Sequence, residues 1–164
     1  MNLYQVVDKD DNLVGLKPRD EIDFQNDYYR ISGIWLTNSR GQILIAQRKL
    51  TKDKDPGKWG PAAAGTLEEG ETYESNAYKE AEEEIALTGV KLELGPKMTF
   101  EQPRHSHLQW FLARVDKLES EFIPQPTEVE RVMWVDEAEL VRDVEENPDK
   151  YVPSMRQIVE AFCK

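Results

Sequence analysis

Residues 65–87 read GTLEEGETYESNAYKEAEEEIAL, eight glutamates against a single lysine, Lys79. Like charges at helical spacing repel, so the stretch is either a solvated acidic face or a place where positive charge sits among carboxylates. From about Thr72 to Leu87 the apolar positions, among them Ala77, Ala81 and Ile85, recur at helical spacing, and Gly89 offers a stop. On such a helix Glu80, Glu83 and Glu84 stand at i, i+3 and i+4 and share a face. Three converging carboxylates suit a hard divalent cation such as Mg²⁺, whose other ligands are substrate phosphates and water. A solvated charged face is the competing reading of the helix by itself.

Working outward, LYQVVD (3–8) and LVGL (13–16) around KDDN read as an N-terminal hairpin, followed by the charged connector KPRDEIDFQND (17–27). YYRISGIWLTN and QILIAQRKL are rich in β-branched and aromatic residues and read as two strands joined at SRG. TKDKDPGKWGP (51–61) is loop, punctuated by two prolines and two glycines. Segments 91–102, 106–116 and 128–135 read as further strands. DEAELVRDVEEN starts a helix at Asp136, and VPSMRQIVEAFCK closes the chain with an amphipathic one. Strands before, between and after helices predict one α/β or α+β domain over 1–164, with a mixed sheet between helices.

Composition bounds the function. The net charge of −11 argues against nucleic-acid polymers and anionic membranes as partners, but a bound cation can reverse the sign locally for a small phosphorylated substrate. Cys163 is the one cysteine, so no internal disulfide is expected. The start MNLYQVVDKDDN has no basic region followed by an apolar run, and a cytoplasmic setting is expected.

Gly65, five residues, Glu71, seven residues, and then Lys79-Glu80-Ala81-Glu82-Glu83-Glu84-Ile85-Ala86-Leu87 resembles the Nudix box. The strand pair ahead of it and the Trp134 strand behind it are similar to the family's frame, over roughly residues 28–145. The resemblance implies a Nudix fold and Mg²⁺- or Mn²⁺-dependent hydrolysis of a diphosphate linkage in a small molecule. It implies Glu80, Glu83 and Glu84 as metal ligands, with Glu83 and Glu84 as the essential pair. A backbone carbonyl at or before Gly65 is a further ligand, and Glu71 is structural in the box. Two positions depart. Lys79 stands where the family has arginine, keeps the charge without the planar fork, and is carried as a catalytic-site residue. Ala86 replaces a glycine and is expected to continue the helix in an ordinary right-handed conformation.

DPGKWGPAAAG and YYRIS also resemble the frame of isopentenyl-diphosphate isomerase, a Nudix relative. Ala64, Thr66 and Tyr29 stand where that enzyme has its functional cysteine and histidines. Alanine can neither donate nor accept the proton that allylic isomerisation needs, so the isomerase is a disfavoured alternative. A non-catalytic ligand-sensing Nudix module is the other alternative.

Other residues carry weaker signals. Arg48, Lys49, Lys52, Lys54 and Lys58 form a positive island before the box, with Arg48 and Lys54 taken as phosphate contacts; solvated lysines are the bland reading. Trp59 either packs under its loop or contacts substrate, whereas Trp35 and Trp134 read as core. His105 and His107 alternate along RHSHLQWF and project from one face, as substrate contacts. Glu128 fits an extra acidic ligand ahead of the Trp134 strand. Cys163 lacks the basic setting of a nucleophile. Substrate candidates are nucleoside triphosphates, nucleotide sugars, ADP-ribose and isoprenoid diphosphates. The N-terminal hairpin (1–27) offers an extra surface, with a homodimer contact as its expected use.

Overall fold

The computed structural model describes residues 1–163. Nine strands form one mixed sheet: β1 (Leu3–Val7), β2 (Leu13–Pro18), β3 (Tyr28–Thr37), β4 (Gln42–Arg48), β5 (Trp59–Pro61), β6 (Ala63–Thr66), β7 (Glu93–Phe100), β8 (Ser106–Arg114) and β9 (Val129–Asp136). Three helices cover it: α1 (Tyr73–Ile85), α2 (Glu137–Glu146) and α3 (Met155–Phe162). Side chains alternate across a strand, and β3 and β4 use both faces. Ile34, Leu36, Leu44 and Ala46 pack under α1 with Ala77, Ala81 and Ile85. Trp35, Ile43 and Ile45 face the other way, against Leu140 and Val144 of α2 and Met155, Ile158 and Val159 of α3. Among the described residues no helix is long and apolar enough to cross a membrane.

The centre of the sheet splits, and the split makes the site. β3 and β4 pair at Thr37↔Ile43 and then diverge. Beyond that point β5 runs along β4, from Ile45↔Pro61 to Gln47↔Trp59. β6 runs along β3, from Ile34↔Ala63 to Ile31↔Thr66, so Ala62 carries the chain across the opening. β8 lies parallel to β3 over its whole length, and β9 flanks β4.

The N-terminal hairpin joins this sheet through Val6↔Tyr29 and Val7↔Tyr28. It also clasps the loop ahead of α1: the Gln5 amide donates to the Glu68 and Glu71 carbonyls at 2.8 and 2.7 Å. At its turn, Asp11 pairs with Arg30 at 2.7 Å, accepts from the Tyr73 hydroxyl and pairs with Lys97.

α1 starts where the pattern places it, with Thr72 and Ser75 forming a reciprocal capping box. Its end differs from expectation. Ala86 is not another helical residue but the left-handed C-cap, at φ 56° and ψ 36°. Glycine takes that conformation without penalty, so the alanine stores about 1 kcal/mol of strain.

Candidate active site

The box positions its own residues by backbone contact. A Cβ on Gly65 would fall 2.2 Å from the Glu80 carboxyl carbon, so glycine is what lets the Glu80 side chain lie against β6. Glu71 caps the approach loop, accepting from the Glu68 amide at 2.6 Å and from the Asn76 side chain at 3.2 Å. Lys79 pairs with Glu68 and Glu71, each at 2.8 Å. Against the pull of burial, these two carboxylates hold the Lys79 pKa above its usual value, and Lys79 in turn keeps Glu71 low. Lys79 therefore braces the box rather than entering the cleft, which changes the role expected of it.

Glu80 and Glu84 form the half-buried acidic centre. Burial first, and then the Glu83 charge, push Glu80 up to about 7. Burial and then Glu80 push Glu84 well above the carboxylate range, while the Ala64 amide donates to its Oε2 at 3.3 Å. Each carboxyl bears on the proton affinity of the other, as crowded like charges away from water do. Glu83 is exposed and lies outside this pair, near enough for its charge to bear on Glu80. Glu80 thus bears on both Glu83 and Glu84, the two residues expected as the essential pair. Among the described residues no three acidic, histidine or cysteine groups stand as a ready-made metal cage. The donor set nevertheless fits a hard divalent cation: all oxygen, mutually repelling, and short of positive charge.

In front of Glu84 the split sheet opens into a cavity of about 240 Å³. Its walls are of three kinds. Glu84 and Glu128 are acidic, and the Glu128 charge bears on Glu84. Arg48, Lys54 and Arg104 supply positive charge at the rim. Ile31, Phe100, Leu108, Trp110, Val152 and Ile158 supply an apolar surface. Glu128 is paired with Lys52 at 2.5 Å, which makes that lysine a counter-ion rather than a free phosphate contact. Arg48 donates to the Lys54 carbonyl at 2.9 Å, tying the rim loop to the end of β4.

Three expected substrate contacts lie elsewhere. β8 does line the cavity, but with Ser106, Leu108 and Trp110; His105 and His107 occupy the alternate positions and face away. His107 is buried, with its ring nitrogens 3.0 Å from Thr99 Oγ1 and from the Asp8 carbonyl, and so anchors the hairpin turn. His105 stacks on Tyr28 at 4.6 Å. Trp59 faces the side of α2 beneath the Arg131 guanidinium. Cys163 is buried, and burial followed by the Glu137 charge pushes its thiol up to about 11, so it is not a nucleophile. Residues that sequence reasoning had not assigned as contacts are Arg104 and Tyr29. Only the strand alternation through QPRHSHL could have signalled Arg104, since it precedes Ser106 by an even step.

Residues 28–162 match the family model of the NUDIX domain. The chain is 28% identical over 158 residues to a prenyl-diphosphate phosphatase of Methanosarcina mazei, covering 95% of this chain and 92% of that protein. It is 28% identical over 131 residues to an isopentenyl-diphosphate Delta-isomerase of Corynebacterium diphtheriae, covering 74% of this chain and 70% of that one. The fold is similar to the crystal structure of DR0079 from Deinococcus radiodurans, with a TM-score of 0.86 at 20% identity over 99% of both chains.

Proposed function

The chain belongs to the Nudix family of diphosphate-cleaving hydrolases, and on that premise we propose that its substrate is the diphosphate of an apolar, isoprenoid-type group. The observation that carries this reading is the three-part wall of the cavity. One cavity joins carboxylates (Glu84, Glu128 and Asp55), cations (Arg48, Lys54 and Arg104) and an apolar surface built from Ile31, Phe100, Leu108, Trp110 and Ile158. A hydrocarbon chain gains about 25 cal/mol for each Å² it buries on such a surface. The relative from Methanosarcina mazei, which the chain matches over nearly its whole length, supports the same choice among diphosphates.

Glu80 and Glu84, with Glu83 and Glu128 beside them, would hold Mg²⁺ or Mn²⁺, and the backbone at Gly65 is a further donor. When bound, the cation supplies neutralising charge for the diphosphate and a water acidic enough to attack phosphorus near neutral pH. The rest is positioning by the chain itself. Arg48, Lys54 and Arg104 take the non-bridging phosphate oxygens through charge-assisted hydrogen bonds. The apolar wall sets the depth of the organic group, and Lys79 with Glu71 keeps the box loop rigid. Residues 1–164 act as one catalytic unit in this reading. A homodimer, if formed, would use the exposed Leu13 and Val14 on the edge strand β2.

The isomerase alternative is weaker at this site. Ala64 places a methyl group beside Glu84 where proton transfer would need a thiol. Phosphate release from geranyl, farnesyl and isopentenyl diphosphates, beside nucleoside diphosphates, triphosphates and nucleotide sugars, tests the proposal in Mg²⁺ and in Mn²⁺. Glu83→Gln and Glu84→Gln controls should abolish the release. Cleavage confined to nucleotides would overturn the substrate assignment. Tight binding without cleavage of any compound would favour a sensing module.

A further inference from the structure

We propose that the N-terminal segment before Tyr28 completes the active site: Phe24 fixes the Arg104 guanidinium, and Arg19 adds a further charge, at the phosphate-binding end of the cavity. The inference rests on the assignment of that end above, but Arg19 and Phe24 lie outside the 28–162 span shared with the family.

The segment is anchored where it matters. After β2 the chain makes one 3-10 turn at Arg19–Glu21 and buries Ile22. Phe24 then meets Tyr29 edge-on, ring centroids 5.5 Å apart, and Tyr29 itself lines the cavity. The Arg104 guanidinium lies 3.9 Å from the centre of the Phe24 ring, close range for a cation–π contact. Arg104 sits in the short loop between β7 and β8, whose one carboxylate, Glu101, is engaged by Tyr28 and His105 instead. The aromatic face is what sets its direction.

The charge pattern points to an anion. Among the described residues none of Arg19, Arg48, Lys54 and Arg104 forms an ion pair with a carboxylate, in a chain whose net charge is −11. Most other clustered cations here are neutralised, as Lys79 is by two glutamates and Arg30 by Asp11. Desolvation first, and then the Arg104 charge, lower the Lys54 pKa; Arg48 and Arg19 add to this, and Asp55 offsets part. Arg48, Lys54 and Arg104 line one cavity, and Arg19 is near enough for its charge to bear on Lys54, so like charges are held together there. A diphosphate, with several charges on adjacent oxygens, relieves that repulsion where a single carboxylate does not. Phe24 is a positioning residue in this arrangement, and Arg19 and Arg104 are the contacts.

The test measures binding of inorganic diphosphate to the full chain by calorimetry in EDTA. It compares the wild type with Arg19→Ala, Phe24→Ala, Phe24→Trp, Arg104→Ala and the double variant Phe24→Ala/Arg104→Ala, each shown to be folded by circular dichroism. Loss of a charge-assisted contact should weaken affinity about tenfold in Arg104→Ala, and somewhat less in Arg19→Ala and Phe24→Ala. Phe24→Trp should restore it, because the indole face holds a guanidinium at least as well. In the Arg104→Ala background Phe24→Ala should add nothing. KM for the cleaved substrate should rise in parallel while kcat stays within about twofold, the mark of lost ground-state binding. Wild-type affinity in Arg19→Ala and Phe24→Ala, or an equal loss from Phe24→Ala with and without Arg104, would overturn the proposal. So would a wild type that does not bind diphosphate. Inorganic diphosphate carries no organic group, so these results stand apart from the isoprenoid assignment. Intact effects beside cleavage of nucleotides alone would sink only that assignment.

Discussion

Replacing Glu80 with glutamine should make the metal-free protein more stable at pH 8 while destroying its function. Burial and the Glu83 charge raise the Glu80 carboxyl from 4.5 to about 7 in the folded chain. The native state therefore keeps a proton that the unfolded chain releases, and stability is fully present below pH 4.5 and falls as pH rises through about 7. That gap, at about 1.36 kcal/mol per pH unit, sets a ceiling of about 3.4 kcal/mol. Glu80 is only half-buried, and solvent screening reduces the expected loss to about 1–2 kcal/mol. Glutamine cannot ionise, and it keeps the size and polarity of the side chain. Urea unfolding in EDTA, followed by tryptophan fluorescence, should show Glu80→Gln and wild type equal near pH 4.5. By pH 8 the variant should be ahead by that amount. Excess Mn²⁺ at pH 8 should reverse the order, because the cation binds only the native site of the wild type. A wild type whose stability relative to Glu80→Gln is flat or rises from pH 5 to 8 would refute the reasoning.

Three further outcomes follow from the geometry of the box. Ala86→Gly should stabilise the protein by about 1 kcal/mol in the same unfolding assay, by relieving the left-handed cap, with unchanged turnover. Gly65→Ala should leave the fold intact but displace the Glu80 carboxylate, lowering kcat about 100-fold and weakening Mn²⁺ binding measured by EPR. Lys79→Ala should cost about 1–2 kcal/mol of stability by stranding Glu68 and Glu71, whereas Lys79→Arg should restore it and leave KM unchanged.

The box, its helix and the strand pair before it were legible because each depends on local spacing. Gly65 to Glu71 to Glu80 fixes one turn, one loop and one helix face. Which carboxylates meet was less legible. Glu80 and Glu84 are one turn apart and half-buried beside β6, while Glu83 lies about 100° round the helix from Glu84, at an exposed position. The β8 histidines show the limit of alternation: period two says that His105 and His107 share a face, but not which face meets the cavity. Arg104 and Phe24 lie 80 positions apart and meet only through tertiary structure, so no motif could have joined them. Ala86 was misjudged because helix propensity rewards alanine everywhere except at the one cap position where the backbone turns left-handed.

The most direct test of the central claim is the ratio of kcat/KM for geranyl diphosphate to that for a nucleoside diphosphate, measured with the same Mn²⁺-loaded protein. An apolar wall in the same cavity as the carboxylates and cations predicts a ratio of at least about 100, falling toward unity when Leu108 is replaced by aspartate. A ratio below one in the wild type would contradict the account.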